Sequence, residues 1–439
     1  MSKKAVSWVM VFILLALVIS ACSSNKSSDT AASSGTDRAA PAEGSVMPTS
    51  EGNRASEEKL TSNSVSVQSE PVEKSSRKRL DALPGGQSGP EPAAGQLTAG
   101  EWDDALKWAD WLNQLNGHNG SEAIKLWGMY PLQRIAVEIT SGRRAAADIQ
   151  LAVKDKAGET LWEAKTDIQG KAYAYPLLFN EPKWRKAKGD YQIELRSNDQ
   201  VVHTMENVQF TNSETLKIDI GPQSFLSDQV DLMLVVDTTG SMGDELQYLT
   251  AELKDVITQA VERSKDKLAM RISANFYRDH YDDYLVRSFP FTKDVDEVIR
   301  QLAAQTAEGG GDYPEAVDEA LHNALYEHEW SGNARARLLF LVLDAPPHDD
   351  KQTLSRMQEL AREAARMGVR IIPVASSGVN KDTEYLLRTL AVTTGGSYVF
   401  LTDDSGIGNE HIKPDTGAYD VKLLNELLVE VILRYTQQQ

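Results

Sequence analysis

The chain has 439 residues, with 46 lysines and arginines against 64 aspartates and glutamates, a formal net charge of −18, and a single cysteine. The acidic balance argues against a generic nucleic-acid binder, which carries a basic surface. One cysteine cannot form an intramolecular disulfide framework or a cysteine-based zinc finger. The length is sufficient for two or three domains, each with a sizeable core.

The first 22 residues have the pattern of a secretory signal. Lys3 and Lys4 are followed by an apolar run over 6–19, too short to span a membrane comfortably, and then by small residues and Cys22. This ending resembles the lipobox of bacterial lipoproteins, and the resemblance implies that Cys22 is lipidated and starts the mature chain. We therefore predict a lipid anchor, such as palmitate, that holds the chain on the extracytoplasmic face of a bacterial cell membrane. An uncleaved signal anchor is the alternative.

Residues 23–96 have the composition of a disordered tether. They are rich in serine, alanine, proline, glycine and glutamate, and they contain no tryptophan, tyrosine or phenylalanine. Such a segment cannot bury enough apolar surface to offset the entropy lost on ordering. We predict a flexible spacer with a reach of roughly 45–50 Å between the anchor and the folded part.

Residues 97–225 are predicted to form a tryptophan-containing helical segment and then a small β-sandwich. Trp102, Trp108 and Trp111 lie at helical spacing, and we expect them to pack against the next domain; a surface stacking platform is the alternative. Further along, apolar residues alternate in short runs separated by turns, which is typical of sandwich strands. The stretch 153–172 resembles the prealbumin-like and immunoglobulin-like modules of extracellular proteins.

Residues 226–439 alternate between apolar runs and amphipathic segments. The run 230–236 is almost continuously apolar, as in a strand that is buried on both faces, and 246–260 carries apolar residues at helical spacing. Repeated alternation of this kind predicts an α/β fold with a doubly wound, mostly parallel sheet. Ligands of such folds bind at the carboxyl ends of the strands, so a site is expected in the loops there.

The first of these loops offers three oxygen donors at alternating positions. They are the carboxylate of Asp237 and the hydroxyls of Thr239 and Ser241. Hard divalent cations prefer oxygen ligands, so this spacing indicates a metal-binding loop between a strand and a helix. The alternative is helix capping, in which a hydroxyl satisfies the first amides of the helix.

Two later loops add carboxylates. The glycine run 309–311 precedes Asp312 and Glu315, and no lysine of a nucleotide-binding P-loop follows it. Asp344 comes directly after the apolar run 338–343. Each of these acids is expected either to face the site formed by the first loop or to stabilise the start of its own helix.

The region 229–436 resembles a von Willebrand factor type A domain. Its Asp237-x-Thr239-x-Ser241 matches that family's metal-ion-dependent adhesion site, and Asp344 matches a later aspartate of the same site. The resemblance implies a bound Mg²⁺, with Mn²⁺ or Ca²⁺ as alternatives. It also implies an open coordination position that a glutamate or aspartate of a protein partner completes.

The sequence departs from the family pattern in the glycine loop. Many members have a site threonine where Gly311 stands, whereas the pattern from Asp312 to Glu315 resembles the integrin β-subunit version of the domain. That version implies Glu315 as the substitute ligand and Asp312 as a contributor to a neighbouring ion. Asp244 and Glu245 fall where it has an adjacent metal site. We predict solvated acids at a helix start there, with the adjacent metal site as the alternative.

Together these features predict a binding or adhesion protein and not an enzyme, with a protein partner and with neither nucleic acid nor nucleotide as ligand. The first alternative is a metal-dependent hydrolase of the cell envelope, for which Asp279, His280 and His348 are the available acid–base residues. The second alternative is a structural envelope lipoprotein with a vestigial metal site.

Overall fold

The structure is a computed structural model, and it describes residues 92–180, 190–212, 214–222, 227–264 and 267–438, without the side chains of 118–121. The predicted signal, Cys22 and almost all of the predicted tether lie outside the described residues. Within the described ranges, no helix combines the length and the apolar character needed to cross a bilayer.

The described residues form short strands in the first half and longer alternating strands and helices in the second half. The strands are β1 Thr98–Trp102, β2 Ile135–Ser141, β3 Arg144–Ala145, β4 Gln150–Lys154, β5 Thr160–Lys165, β6 Lys171–Ala174, β7 Tyr191–Ser197, β8 Gln200–Val208, β9 Leu216–Asp219, β10 Gln229–Asp237, β11 Ala269–Tyr277, β12 Val286–Arg287, β13 Ala336–Leu343, β14 Val369–Ala375, β15 Tyr398–Leu401 and β16 Lys422–Leu423. The helices are α1 Trp108–Leu115, α2 His118–Trp127, α3 Leu246–Ser264, α4 Val295–Ala303, α5 Val317–Tyr326, α6 Lys351–Met367, α7 Lys381–Thr394 and α8 Leu424–Thr436.

The largest sheet has the strand order β12-β11-β10-β13-β14-β15-β1-β16. The strands from β11 to β15 in this order are parallel, and the antiparallel pairs lie at the two ends of the sheet. Parallel neighbours require crossover connections, and helices provide them. The predicted α/β class with a mostly parallel sheet is therefore confirmed.

Both faces of this sheet are covered by helices, which explains the continuous apolar runs of its central strands. Along β10, Leu232 and Leu234 pack into one buried cluster with α3, α4 and α8. The intervening Met233 and Val235 pack into a second cluster with α5, α6 and α7. Because successive side chains of a strand point to opposite faces, a strand between two helical layers must be apolar at every position.

The strand β1 belongs to the large sheet, although the predicted division of the chain assigned it to the region 97–225. β1 lies between β15 and β16 and pairs antiparallel with both. Trp102 is the last residue of this strand and not part of a helix. The chain is already fixed just before β1, because the buried carboxylate of Glu252 on α3 accepts hydrogen bonds from the backbone N–H groups of Gly95, Gln96 and Leu97 at 2.8–2.9 Å. The last two residues of the predicted tether are thus part of the fold.

The region between α2 and β10 contains two four-stranded sheets. One has the order β3-β2-β6 with β9 paired to β2, and the other has the order β5-β4-β7-β8. The alternation seen in the sequence corresponds to one buried face: Ile135, Val137 and Ile139 of β2 are buried, as are Leu151 and Val153 of β4. These residues belong to the same buried cluster as α5, α6 and α7.

Aromatic and charged contacts join the segment around α1 to the C-terminal helices. The ring of Trp111 on α1 stacks on Tyr385 of α7, with centroids 5.8 Å apart and planes 12° apart. Arg388 of α7 forms a buried ion pair with Asp104 at 2.6 Å. Trp111 therefore packs against the C-terminal helical layer and does not form a surface platform.

Candidate metal centre

Three loops meet at the carboxyl edge of the large sheet. β10 ends at Asp237, and its parallel neighbour β13 ends at Leu343, so Asp344 is the first residue after that strand. Glu315 lies just before α5, and its backbone N–H donates to the carbonyl of Pro346 in the third loop at 2.9 Å. The order of strands and helices thus brings three carboxylates from distant parts of the sequence to one edge.

The first loop is folded around the carboxylate of Asp237. Its Oδ1 accepts hydrogen bonds from the backbone N–H of Thr239 at 2.8 Å and from the Thr239 hydroxyl at 2.7 Å. Thr239 Oγ1 lies 3.1 Å from Ser241 Oγ, so the three oxygen-bearing side chains are contiguous. Thr239 precedes the 3-10 turn Gly240–Asp244, yet its side chain makes no capping hydrogen bond. The alternative capping role is therefore not what this threonine does here.

Each of the three carboxylates has one buried oxygen without a hydrogen-bond partner among the described atoms. These oxygens are Oδ2 of Asp237, Oε2 of Glu315 and Oδ1 of Asp344. The three residues are between 0% and 3% exposed. A buried carboxylate oxygen without a partner costs free energy, so these three oxygens are candidate ligands for a cation. The donor set consists of hard oxygens, which fits Mg²⁺, Mn²⁺ or Ca²⁺.

The electrostatics of the site agree with this fit. Burial, together with the charges of Asp237 and Asp279, raises the pKa of Glu315 to about 9. Burial also raises the pKa of Asp237, and burial together with the charge of Asp237 raises the pKa of Asp344. Carboxylates that disfavour one another's charge in this way bind protons in the absence of a counter-ion and release them to a divalent cation.

The glycine loop approaches the site closely, and this explains its composition. Gly310 has a φ of +70°, and a Cβ atom there would lie 2.9 Å from Glu315 Oε1 and 3.3 Å from Thr239 Cβ. A side chain at this position would therefore be strained and would push against two of the site residues. Gly311 stands at the position of the family's site threonine, and a Cβ there would meet no described atom within 4 Å.

Asp312 is the one predicted metal residue that the structure does not bring to Asp237. It is exposed. It lines a surface cavity of about 400 Å³ together with Asp279, His280 and His348. The neighbouring-ion position predicted for Asp312 therefore corresponds to this cavity. Glu315, by contrast, belongs to the site around Asp237, which we call the first site.

The prediction of solvated acids at the start of α3 is wrong for Glu245. Its side chain is fully buried, and one of its oxygens lies 2.9 Å from Nε2 of the buried His411. Asp244 is half-buried and accepts hydrogen bonds from the backbone N–H and the side-chain amide of Asn409, both at 2.7 Å. Both acids thus hold the loop that follows β15 against the start of α3.

A second group of metal-ligand residues lies beside the first site. One ligand atom from each of Asp279, His280 and His348 lies within 4.8 Å of the others. His348 Nε2 is 2.9 Å from Asp279 Oδ1. The sequence supplied each of these residues as an acid–base candidate, but only the fold joins them. Asp279 follows β11 and His348 follows β13, and these are the two strands that flank β10.

Comparisons with known proteins agree with the fold of the second half of the chain. Residues 231–406, about two-fifths of the chain, match the von Willebrand factor A domain family. A putative ariadne-like RING finger protein of Acanthamoeba polyphaga mimivirus is 26% identical over 215 residues, which is 45% of this chain and 20% of that protein. The chain thus spans about a fifth of the length of this curated relative. A domain of this family indicates a role in protein interaction or adhesion.

Proposed function

We propose that the protein is a lipid-anchored, extracytoplasmic binding protein that captures a protein partner through a divalent metal ion. The ion is held by Asp237, Thr239, Ser241, Glu315 and Asp344. The observation that carries this proposal is the set of three buried carboxylate oxygens, one from each loop, that have no partner among the described atoms. A glutamate or aspartate of the partner would complete the coordination of the ion.

The oxygen-only donor set supports Mg²⁺ as the resident ion. Mg²⁺ accepts carboxylate and hydroxyl oxygens and usually keeps several water molecules. Ser241 is exposed, whereas Asp237 and Thr239 are buried beneath it. An ion in this loop would therefore be reached from the solvent side, where a water ligand can be exchanged for the carboxylate of a partner. This arrangement fits capture better than it fits enclosure of a structural ion.

The anchor is a further part of the proposal. Cys22 would carry the lipid, and the segment 23–96 would separate the membrane from the folded part. In the described residues the chain becomes fixed at Gly95, where Glu252 accepts its backbone N–H at 2.9 Å. The spacer would thus lead directly into β1 of the sheet that carries the metal loops.

A metal-dependent hydrolase is the second candidate function, and one observation favours it. The imidazole of His348 lies 2.9 Å from the carboxylate of Asp279, which is the arrangement that orients a general base. Hydrolysis would need this pair beside a metal-bound water. The binding role remains our proposal because the family match of residues 231–406 indicates protein interaction.

Metal binding is tested by calorimetric titration of the purified full-length chain with Mg²⁺. We expect Asp237→Ala to weaken binding at least a hundredfold, because it removes the carboxylate around which the first loop folds. Glu308→Ala is the matched control, since Glu308 lies in the glycine loop but is 65% exposed. Equal Mg²⁺ affinity in wild type and Asp237→Ala would refute the site assignment.

Partner capture is tested with the same variants as bait in envelope extracts, with Mg²⁺ or with EDTA. We expect a partner that is retained by wild type and Glu308→Ala in Mg²⁺ and is lost in EDTA and with Asp237→Ala. Turnover of an envelope substrate by the Mg²⁺-loaded chain, without such a partner, would favour the hydrolase. An unchanged cell-surface phenotype in Asp237→Ala cells would favour a purely structural role.

A further inference from the structure

The loops that follow β11 and β13 bring two histidines and an aspartate together outside the oxygen-only site. Asp279 and His280 lie just after β11, and His348 lies in the loop after β13. His348 Nε2 is 2.9 Å from Asp279 Oδ1, and the two imidazole rings have centroids 5.4 Å apart. Among the described residues this is the group in which three His, Cys, Asp or Glu side chains offer mutually close ligand atoms.

The spacing of these atoms suits a metal with short bonds to nitrogen. Bonds of about 2.0–2.1 Å in a tetrahedral site place the ligand atoms roughly 3.3 Å apart. The atoms His348 Nε2 and Asp279 Oδ1 are 2.9 Å apart, somewhat closer than that separation. The three ligand atoms lie within 4.8 Å of one another, so shifts of at most about 1.5 Å bring them to that separation. His280 is exposed and is free of the packing that fixes a core side chain.

The backbone around the group is held by the fold. The side chain of Asp282 accepts hydrogen bonds from the backbone N–H of Asp279 at 3.0 Å and from that of Gly310 at 2.9 Å. Tyr281, which lies between Asp279 and Asp282, has a φ of +75° although it is not a glycine, and its side chain is fully exposed. A strained tyrosine that packs against nothing is costly for stability alone, and such strain is typical of functional loops.

We propose that Asp279, His280 and His348 form a second metal site, specific for a first-row transition ion such as Zn²⁺. Two imidazoles and one carboxylate are softer ligands than the oxygens of the first site, and imidazole suits Zn²⁺, Fe²⁺, Co²⁺ and Ni²⁺. Three protein ligands leave at least one coordination position open. That position faces the surface cavity of about 400 Å³, whose wall also carries Asp312. The site thus takes water or an anionic ligand from solvent, and it does not depend on the Mg²⁺ site proposed above.

The test uses Co²⁺ as a spectroscopic probe on the purified full-length chain, stripped of metal and then saturated with Mg²⁺. Low-symmetry Co²⁺ with imidazole ligands absorbs strongly in the visible range, whereas octahedral Co²⁺ with oxygen ligands absorbs weakly. We expect one equivalent of strongly absorbing Co²⁺, displaced by Zn²⁺. His280→Ala and His348→Ala should each weaken Co²⁺ binding at least tenfold, because each removes one of three ligands.

Two control variants make the result specific. His203→Ala removes a histidine from β8, in a different sheet, and should leave the Co²⁺ titration unchanged. Asp237→Ala should weaken Mg²⁺ binding as described above and retain the Co²⁺ spectrum, so failure of one site is distinguished from failure of the other. Far-UV circular dichroism verifies that the variants are folded. The proposal is overturned if wild type takes up no strongly absorbing Co²⁺, or if both histidine variants bind it like wild type.

Discussion

The two candidate metal sites occupy neighbouring loops of one sheet edge but differ in how their charges are compensated. In the first site, Asp237, Glu315 and Asp344 are buried, and each has an oxygen without a partner among the described atoms. In the second, Asp279 already has His348 as its partner at 2.9 Å, and His280 is exposed. The first arrangement is therefore unfavourable without a cation, whereas the second is satisfied without one. We expect the stability of the metal-free chain to depend on the carboxylates of the first site, and spectroscopy to report occupancy of the second.

The largest expected effect is the stabilisation of the fold by Mg²⁺. A ligand at a thousand times its dissociation constant stabilises the state that binds it by about 4.1 kcal/mol. We expect a gain of this order in the free energy of unfolding, measured by urea unfolding of the full-length chain in saturating Mg²⁺ and in EDTA. The comparison between the sites would break down if Asp237→Ala left the gain from Mg²⁺ unchanged.

The stability of the metal-free chain should fall as the pH rises. Glu315 has a pKa of about 9 in the fold, against an ordinary value of 4.5. Between these values the unfolded chain releases the proton that the native state keeps, so native stability is lost as pH increases towards 9. We expect a slope of roughly 1 kcal/mol per pH unit from this group, measured by urea unfolding at pH 5 to 8. The slope should flatten with Mg²⁺, because the ion replaces the proton. If the metal-free wild type becomes more stable relative to Glu315→Gln as the pH rises over this range, the raised pKa of Glu315 is contradicted.

Replacing Glu315 by glutamine should stabilise the metal-free chain and weaken Mg²⁺ binding. The substitution removes a carboxyl group that must take up a proton on folding at this pH, with an expected gain of roughly 1–3 kcal/mol at pH 8. Glu308→Gln, at the exposed position in the same loop, should change neither quantity. Thermal unfolding in EDTA and Mg²⁺ calorimetry measure the two effects. If Glu315→Gln destabilises the metal-free chain, Glu315 is held by partners of its own and is not a vacant ligand.

The smallest effect should come from the glycine that lies between the two sites. Gly310 donates its N–H to Asp282 beside the second site and has its Cα against Glu315 in the first. Gly310→Ala should cost about 1 kcal/mol of stability, because its φ is positive. It should also weaken Mg²⁺ binding several-fold by displacing Glu315. Gly311→Ala is the matched control, since a Cβ there meets no atom of the described structure within 4 Å. Equal behaviour of the two variants in urea unfolding and calorimetry would show that close approach is not the function of Gly310.

The sequence predicts those parts of the fold and site whose signals are local. The apolar run of β10 predicts a strand between two layers, and the alternation of Asp237, Thr239 and Ser241 predicts a folded loop of oxygens. Both depend on neighbours within a few residues. The features that the sequence does not predict are determined by contacts between segments that are distant in the sequence.

Three features illustrate this limit. β1 has an undistinguished sequence, and its pairing with β15 depends on backbone hydrogen bonds that any residues could make. Glu245 looks like a solvated acid because nothing near it in sequence shows that His411 will cover it. Asp279 and His348 become neighbours only because β11 and β13 lie on either side of β10.

The hydrogen bonds that Glu252 accepts at the start of the fold have a mechanical consequence. Its carboxylate accepts three successive backbone N–H groups at Gly95, Gln96 and Leu97, and the next residues pair with strands on both sides. Tension applied to the chain ahead of Gly95 is therefore taken up first by charge-assisted hydrogen bonds to α3 and then by the two ladders of β1. If the chain is anchored and captures a partner as proposed, the load would pass through this point. The hydrogen bonds to Glu252 would then have to break before the pull reached the pairing of β1 with the sheet.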